Sequence, residues 1–314
     1  MLKVCLIGVG GISGAHIPAW LGMEDVELSG ICDIRPEQME QYPDLHHYAD
    51  MDEMLEAEKP DILDICLPTF LHVEYAMRAM EKGINVLCEK PVSLHEEDAE
   101  KLYTCAEKNG VKFMVAHVLR WWDEYEYIKE LIDTKKYGKL LSGEMHRLSP
   151  IPGWSWDGWM QDEKRSGFVP FDLHIHDLDF LVYALGEPTA VHSHRSKRPE
   201  QDYFCVTYEF GDAFVTAEAS WYAAPIPFDA GFRFQFEKAV VISGGGKFMV
   251  YSVDEGAIDR TPGAENETGG IDLPATNAYA NEIRYFADCV KENRPADKVK
   301  PQELKAVCHI LNNL

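Results

Sequence analysis

The sequence lacks any Cys-x-x-Cys pair among its eight cysteines, so zinc-finger and thioredoxin-type sites, which need that spacing, are not expected. It lacks an apolar run near the roughly 18–20 residues of a membrane span. Its opening segment, Met1-Leu2-Lys3-Val4-Cys5-Leu6-Ile7, is too short for the apolar region of a signal peptide. Cations are scarce: 30 Lys and Arg against 53 Asp and Glu leave a formal charge of −23. That balance argues against nucleic acid and anionic lipid as partners, because both need clustered basic residues. Repeats and low-complexity segments are absent. What is present is a foldable composition, 46% hydrophobic and 11% aromatic over 314 residues, long enough for two domains at roughly 100–200 residues each. Cys5, Cys32, Cys66 and Cys88 lie in short apolar runs, where a free thiol serves as a small buried hydrophobe. Scattered, unpaired thiols fit a reducing cytoplasm, and the expected partner is a small molecule.

The first stretch alternates. Apolar runs of strand length at 2–7, 26–32, 61–67, 84–88 and 111–116 are separated by segments of helical spacing, such as Val73, Ala76, Met77 and Met80 before Gly83. Near-continuous apolar strands between helices predict a parallel sheet covered on both faces, an α/β Rossmann domain over 1–118. Beyond Arg120 strand-like runs follow one another, at Leu140–Leu148, Tyr203–Phe210, Ala213–Trp221, Phe232–Phe236 and Ala239–Ser243. A helix is expected at 172–185, a loop at 254–272, and helices near 276–292 and 302–313. This predicts an α+β domain over 119–314 with an open, mostly antiparallel sheet for substrate binding and oligomerisation.

Gly8-Val9-Gly10-Gly11-Ile12-Ser13-Gly14 directly follows the first strand and opens a helix. Glycines there let backbone N–H groups at a helix N-terminus approach a pyrophosphate. Ser13 departs from the third glycine of the fingerprint, but Ser is small. Asp33, about 20 residues on at the end of the second run, suits a ribose hydroxyl and repels a 2′-phosphate, favouring NAD over NADP. Arg35 is the residue positioned to compensate such a phosphate. Gly8, Gly10, Gly11, Ile12 and Asp33 are therefore candidate cofactor residues.

Glu89-Lys90-Pro91 follows the run at 84–88, at the edge where open α/β sheets bind ligands. A lysine there is placed to orient a substrate hydroxyl. In Asp172-Leu173-His174-Ile175-His176-Asp177-Leu178-Asp179 a helix stacks Asp172, His176 and Asp179 on one face. A carboxylate one turn from a histidine suits general-base catalysis. The same His and Asp residues also fit a metal site. Trp154, Trp156 and Trp159 offer indole faces to a sugar ring, or cover the sheet or an interface. Arg120 is placed to reach a substrate or to pair with a nearby acid.

Gly8-x-Gly10-Gly11, Asp33, Pro68-Thr69-x-x-His72, Glu89-Lys90-Pro91 and Asp172-x-x-x-His176-Asp177 together resemble the glucose–fructose oxidoreductase/inositol dehydrogenase (Gfo/Idh/MocA) family, over nearly the whole chain. The resemblance implies nicotinamide-dependent oxidation of a sugar or cyclitol hydroxyl and points to a homodimer or homotetramer; with the NAD preference read from Asp33, the expected enzyme is an NAD-dependent dehydrogenase of a sugar, cyclitol or glycoside hydroxyl. The resemblance implies Lys90 at the reacting hydroxyl and nicotinamide ribose, Asp172 holding substrate, and His176 as base. It further implies a cis Lys90–Pro91 bond, with Pro68, Thr69, His72, Glu89 and His117 lining the dinucleotide site. Arg120, Trp154 and Trp159 join Asp172 as candidate substrate contacts. His174 stands where the family often has a small residue, so an altered pocket floor is expected. No resident metal is expected. Three alternatives remain: a redox-assisted glycosidase or lyase acting through a transient keto-sugar with bound NAD, a metal-dependent hydrolase on His174, His176 and Asp177, and a non-catalytic NAD(H) sensor.

Overall fold

A computed structural model describes residues 1–262 and 277–314. The chain divides into two compact units, and each is described by itself. The first comprises Met1–Val118 with C-terminal residues through Cys308; the second begins at Leu119.

In the first unit, strands and helices alternate as β1 (Leu2–Ile7), α1 (Ser13–Leu21), β2 (Val26–Cys32), α2 (Pro36–Met39), β3 (His46–Tyr48), α3 (Met51–Glu58), β4 (Ile62–Ile65), α4 (His72–Glu81), β5 (Asn85–Glu89), α5 (Glu96–Asn109) and β6 (Phe113–Ala116). The sheet order is β3-β2-β1-β4-β5-β6, parallel throughout. Burial on both faces explains the unbroken apolar runs: every residue of β4 and β6 is buried. The order reverses beside β1, which places a ligand crevice at the carboxyl ends of β1 and β4. The edge strand β3 was not foreseen, because His46 and His47 are exposed and carry no apolar signal. Glu58 holds it instead, accepting from the Tyr48 hydroxyl at 2.6 Å and pairing with Lys3 at 2.7 Å.

The second unit contains α6 (Asp123–Thr134), β7 (Leu140–Pro150), α7 (Glu163–Ser166), α8 (Ile175–Leu185), β8 (Ala190–Arg198), β9 (Gln201–Phe210), β10 (Ala213–Tyr222), β11 (Asp229–Phe236), β12 (Ala239–Gly244), β13 (Lys247–Ser252) and β14 (Gly256–Asp259). Among the described residues they form an eight-stranded sheet, β14-β13-β12-β11-β7-β10-β9-β8, in which β7 and β10 pair in parallel and the other neighbours antiparallel. Alternation is clear in β9, where Asp202, Phe204, Val206 and Tyr208 point inward. Strand β8 is almost wholly exposed, so its sequence carries no apolar signal. Strand β14 replaces part of the loop expected at 254–272; positions 263–272 of that loop lie outside the described residues.

The chain divides at 118/119 as expected, but the C-terminal helices, expected in the second domain, belong largely to the first unit. Helices α9 (Ala278–Lys291) and α10 (Pro301–Asn312) close the chain, and α9 packs on α1. Leu304 and Cys308 of α10 join the first core.

Helix α8 is anchored by Phe180, fully buried and edge-to-face with Tyr125 at 4.9 Å. Phe180→Ala should cost about 3–5 kcal/mol through the cavity it leaves. Denaturant unfolding checks this; an unchanged midpoint would show that the site collapses without loss.

Candidate functional site

At the end of β1 the chain must turn against the neighbouring strand. The Gly8 N–H donates to the Cys32 carbonyl at 2.8 Å, and the Cys66 N–H donates to the Ile7 carbonyl at 2.8 Å. Gly8 has φ of +92°, and a Cβ there would lie 2.6 Å from the Cys66 oxygen, so only glycine fits. Gly10 differs: its φ is not positive and an added Cβ would meet no protein atom within 4 Å. Neither strain nor packing within the chain requires glycine there, and the space it leaves suits a ligand drawn onto the backbone. Helix α1 then starts at Ser13 with Ile12 at its cap position and no side-chain cap, leaving N–H groups for an anion. Ser13 supports the turn by donating to the Gly10 carbonyl at 2.6 Å.

Asp33 closes this turn from β2. One carboxylate oxygen accepts from Val9 N–H at 2.8 Å; the other accepts from the Arg35 N–H at 2.8 Å and its Nε at 3.2 Å. The Arg35 guanidinium is thus folded onto Asp33. These residues fit a dinucleotide: an open turn, an uncapped helix, and a fixed carboxylate about 20 residues on.

Below the turn lies a buried polar cluster that the sequence analysis did not find. His16 sits between Asp64 at 2.8 Å and Glu89 at 3.0 Å, and Trp20 Nε1 donates to Asp64 at 2.7 Å. The available signal was Asp64 itself, an acid inside the apolar strand Ile62-Leu63-Asp64-Ile65, since a buried charge needs a partner. Glu89 was expected at the cofactor. Its oxygens are instead engaged by His16 and by the Lys90 N–H at 3.0 Å, so its work is internal. Among the described residues, His16, Asp64 and Cys66 are the group close enough to hold a metal. The Asp64 oxygen on that side is already shared by His16 and the Trp20 indole N–H.

His72 also changes role. It is 1% exposed, and its two ring nitrogens lie 2.8 Å from the Pro91 carbonyl and 2.7 Å from the Leu67 carbonyl. Burial lowers the pKa of its imidazole, so the neutral ring donates to one of these two carbonyls at a time; it sits between the loop after β4 and the turn after β5 and offers no edge to a cofactor. Between these contacts Lys90 is half-buried, and the Lys90–Pro91 peptide bond is cis. Pro68 is half-buried, and Thr69 and His117 are buried.

In the second unit, a π-helical turn, Pro170–His174, precedes α8. Such turns re-aim the side chains after them. Asp172 and His176 are half-buried, whereas His174, Asp177 and Asp179 are fully or almost fully buried. Asp179 therefore does not join the expected face: it accepts from Arg120 Nε at 2.9 Å and from a second guanidinium nitrogen at 2.7 Å. Arg120 is fully buried beneath the Tyr183 ring, which removes it from the substrate contacts and makes it a core ion pair. Asp177 pairs with Arg147 at 2.9 Å, and Arg147 reaches the Tyr125 hydroxyl. His174 lies 2.6 Å from the Tyr208 hydroxyl and edge-on to Phe204. Burial holds its imidazole down at about 3, so it is a neutral core side chain rather than a pocket floor. With His174 and Asp177 committed to the core, the metal-dependent hydrolase loses its ligand set. Trp154 and Trp156 are exposed and Trp159 is half-buried.

A parallel sheet with this glycine turn defines a dinucleotide-binding domain, joined to a second domain built on an open mixed sheet. Residues 2–117 match the oxidoreductase family with an NAD-binding Rossmann fold, and 125–242 match the GFO/IDH/MocA C-terminal domain. The chain belongs to the GFO/IDH/MocA oxidoreductase family. It is 29% identical over 194 residues to D-glucoside 3-dehydrogenase of Escherichia coli (strain K12), covering 60% of this chain and 55% of that protein. It is 25% identical over 294 residues to an NADP(+)-dependent scyllo-inositol 2-dehydrogenase of Bacillus subtilis (strain 168), covering 90% and 78%. The structure of levoglucosan dehydrogenase with NADH and levoglucosan shares the fold, with a TM-score of 0.84, 20% identity and coverage of 99% and 95%. The chain spans little over half the length of the first curated relatives it matches.

Removing one partner of the buried Arg120–Asp179 pair strands a charge. Asp179→Ala should cost about 3–5 kcal/mol, while the double change Arg120→Met with Asp179→Leu should approach neutrality. Unfolding of the two variants checks this; equal losses would contradict the ion-pair account.

Proposed function

We propose that this protein is an NAD-dependent dehydrogenase acting on a hydroxyl of a sugar, cyclitol or glycoside. The observation that carries the proposal is the open backbone at Gly10 beneath an uncapped helix, with Asp33 fixed beside it. Relatives named as sugar and inositol dehydrogenases supply the substrate class. Bound NAD supplies the hydride acceptor. Gly8, Gly10, Gly11 and Ile12 shape the turn that receives its pyrophosphate, and Asp33 takes a ribose hydroxyl. Pro68, Thr69 and His117 are assigned to the same dinucleotide site.

His176 is the proposed general base, accepting the hydroxyl proton as hydride leaves carbon. Lys90 stabilises the developing alkoxide, and Asp172 holds the substrate. The support for His176 and Asp172 is their accessibility in a segment whose other His and Asp side chains are locked in the core. Trp154 and Trp159 are proposed to pack on the apolar face of the ring. The exposed face of the larger sheet carries Phe214 and Tyr251, 49% and 47% exposed, which supports a homodimer or homotetramer. Eight free thiols accord with a cytoplasmic setting, and no helix among the described residues is long and apolar enough to cross a membrane.

Cyclitols, aldoses, uronates and glycosides, each tested with NAD and NADP, should include one that yields reduced cofactor with NAD. Bond cleavage without net reduced cofactor would instead establish the redox-assisted glycosidase or lyase, and no turnover of any class would favour a sensor. His176→Ala should lower turnover about 10²–10⁴-fold while keeping NAD affinity; a wild-type rate would remove His176 from the mechanism. Light scattering should give a mass of two or four chains, and a monomer would contradict the assigned interface.

A further inference from the structure

The strands β4 and β5 each place one acid in an apolar setting: Asp64, fully buried, and Glu89, 6% exposed. His16 of α1, also fully buried, bridges them through Nδ1 to Asp64 at 2.8 Å and Nε2 to Glu89 at 3.0 Å. An ionised carboxylate only accepts hydrogen bonds, so both contacts form at once when both ring nitrogens carry protons. The remaining bonds agree. Trp20 donates to the Asp64 oxygen that His16 uses, and the Lys90 amide donates to the second Glu89 oxygen at 3.0 Å. Each short bond is charge-assisted, in a site where an unmatched charge is costly.

We infer that His16 is a positioning residue, a buried imidazolium that ties the Glu89–Lys90 turn to the helix of the glycine turn and so fixes where Lys90 is presented. Its value for catalysis rests on the role proposed above for Lys90; the clamp itself does not. On the other side of Lys90, His72 lies between the Pro91 and Leu67 carbonyls, a neutral ring that donates to one of them at a time. Lys90 thus lies between two residues that each contact a buried histidine.

The titratable groups around the cluster are two thiols, a phenol, a carboxylate and the Lys90 ammonium. Beside β4, the Cys66 thiol is pushed up to about 12 by burial and by Asp64, so it stays neutral. On β5, burial likewise raises the Cys88 thiol. Helix α9, packed on α1, brings the Tyr279 ring within 6.0 Å of His16 and carries the buried Glu282. Lys90 follows Glu89 directly. Burial opposes a charge on His16, but the adjacent Asp64 outweighs it and holds the imidazole well above its ordinary value.

The test uses the full chain labelled with ¹⁵N-histidine, with His16 assigned by the signal missing from His16→Gln or displaced in Glu89→Gln. At about pH 8.5 an ordinary imidazole is some 99% neutral. His16 should still show two protonated nitrogens there, and should titrate at lower pH in Glu89→Gln. Amide exchange at Lys90 should accelerate at least about tenfold in Glu89→Gln, as expected for a lost charge-assisted bond. A single neutral tautomer of His16 at pH 7, or unchanged Lys90 exchange in Glu89→Gln, would overturn the inference. Lys90→Met isolates the catalytic assumption: unchanged turnover there removes Lys90 from the reaction and leaves the clamp to be judged by resonance and exchange.

Discussion

The ends of β1 and β4 approach so closely that the chain can leave β1 only through a residue without a Cβ. The 2.6 Å separation that a Gly8 Cβ would have from the Cys66 carbonyl is a steric limit, not a preference. It turns the backbone outward at the carboxyl edge of the sheet and starts α1 there. From α1 the face carrying Ser13, His16 and Trp20 looks back at the sheet, and each of those side chains makes a bond that places something else: the Gly10 carbonyl, the Glu89 turn and Asp64. The glycine turn and the lysine turn, 80 residues apart in sequence, are thus two ends of one buried network.

The second unit solves a similar problem with ion pairs. Helix α8 buries two acids, and both pair with arginines from other elements, Asp177 with Arg147 and Asp179 with Arg120. Such pairs add little net stability over an apolar core, but they penalise any register of α8 that breaks them. The π turn ahead of the helix then sets the phase in which Asp172 and His176 remain accessible while their neighbours do not.

The sheet of the first unit was legible because burial on both faces writes long apolar runs, and the glycine turn because its geometry admits few residues. The short edge strand β3 and the exposed β8 carry no such signal. Partners of buried charges were the least legible feature. Arg120 read as equally suited to a substrate or an acid, and only the tertiary structure brings Asp179 to it. His72 and Glu89 lay in a motif that marked the right region, yet their side chains serve the scaffold around Lys90. In each case the sequence marked a polar residue needing a partner, and the partner came from a distant element.

The most direct test of the account is the affinity of the intact protein for NAD and for NADP, measured by calorimetry. Asp33, held by the Val9 and Arg35 amides with the guanidinium folded onto it, places a fixed negative charge where a 2′-phosphate would lie, and like charges so placed repel strongly. NAD should bind at least about tenfold more tightly than NADP. Equal or tighter binding of NADP, or no binding of either, would contradict the reading of the glycine turn and Asp33 as an NAD site.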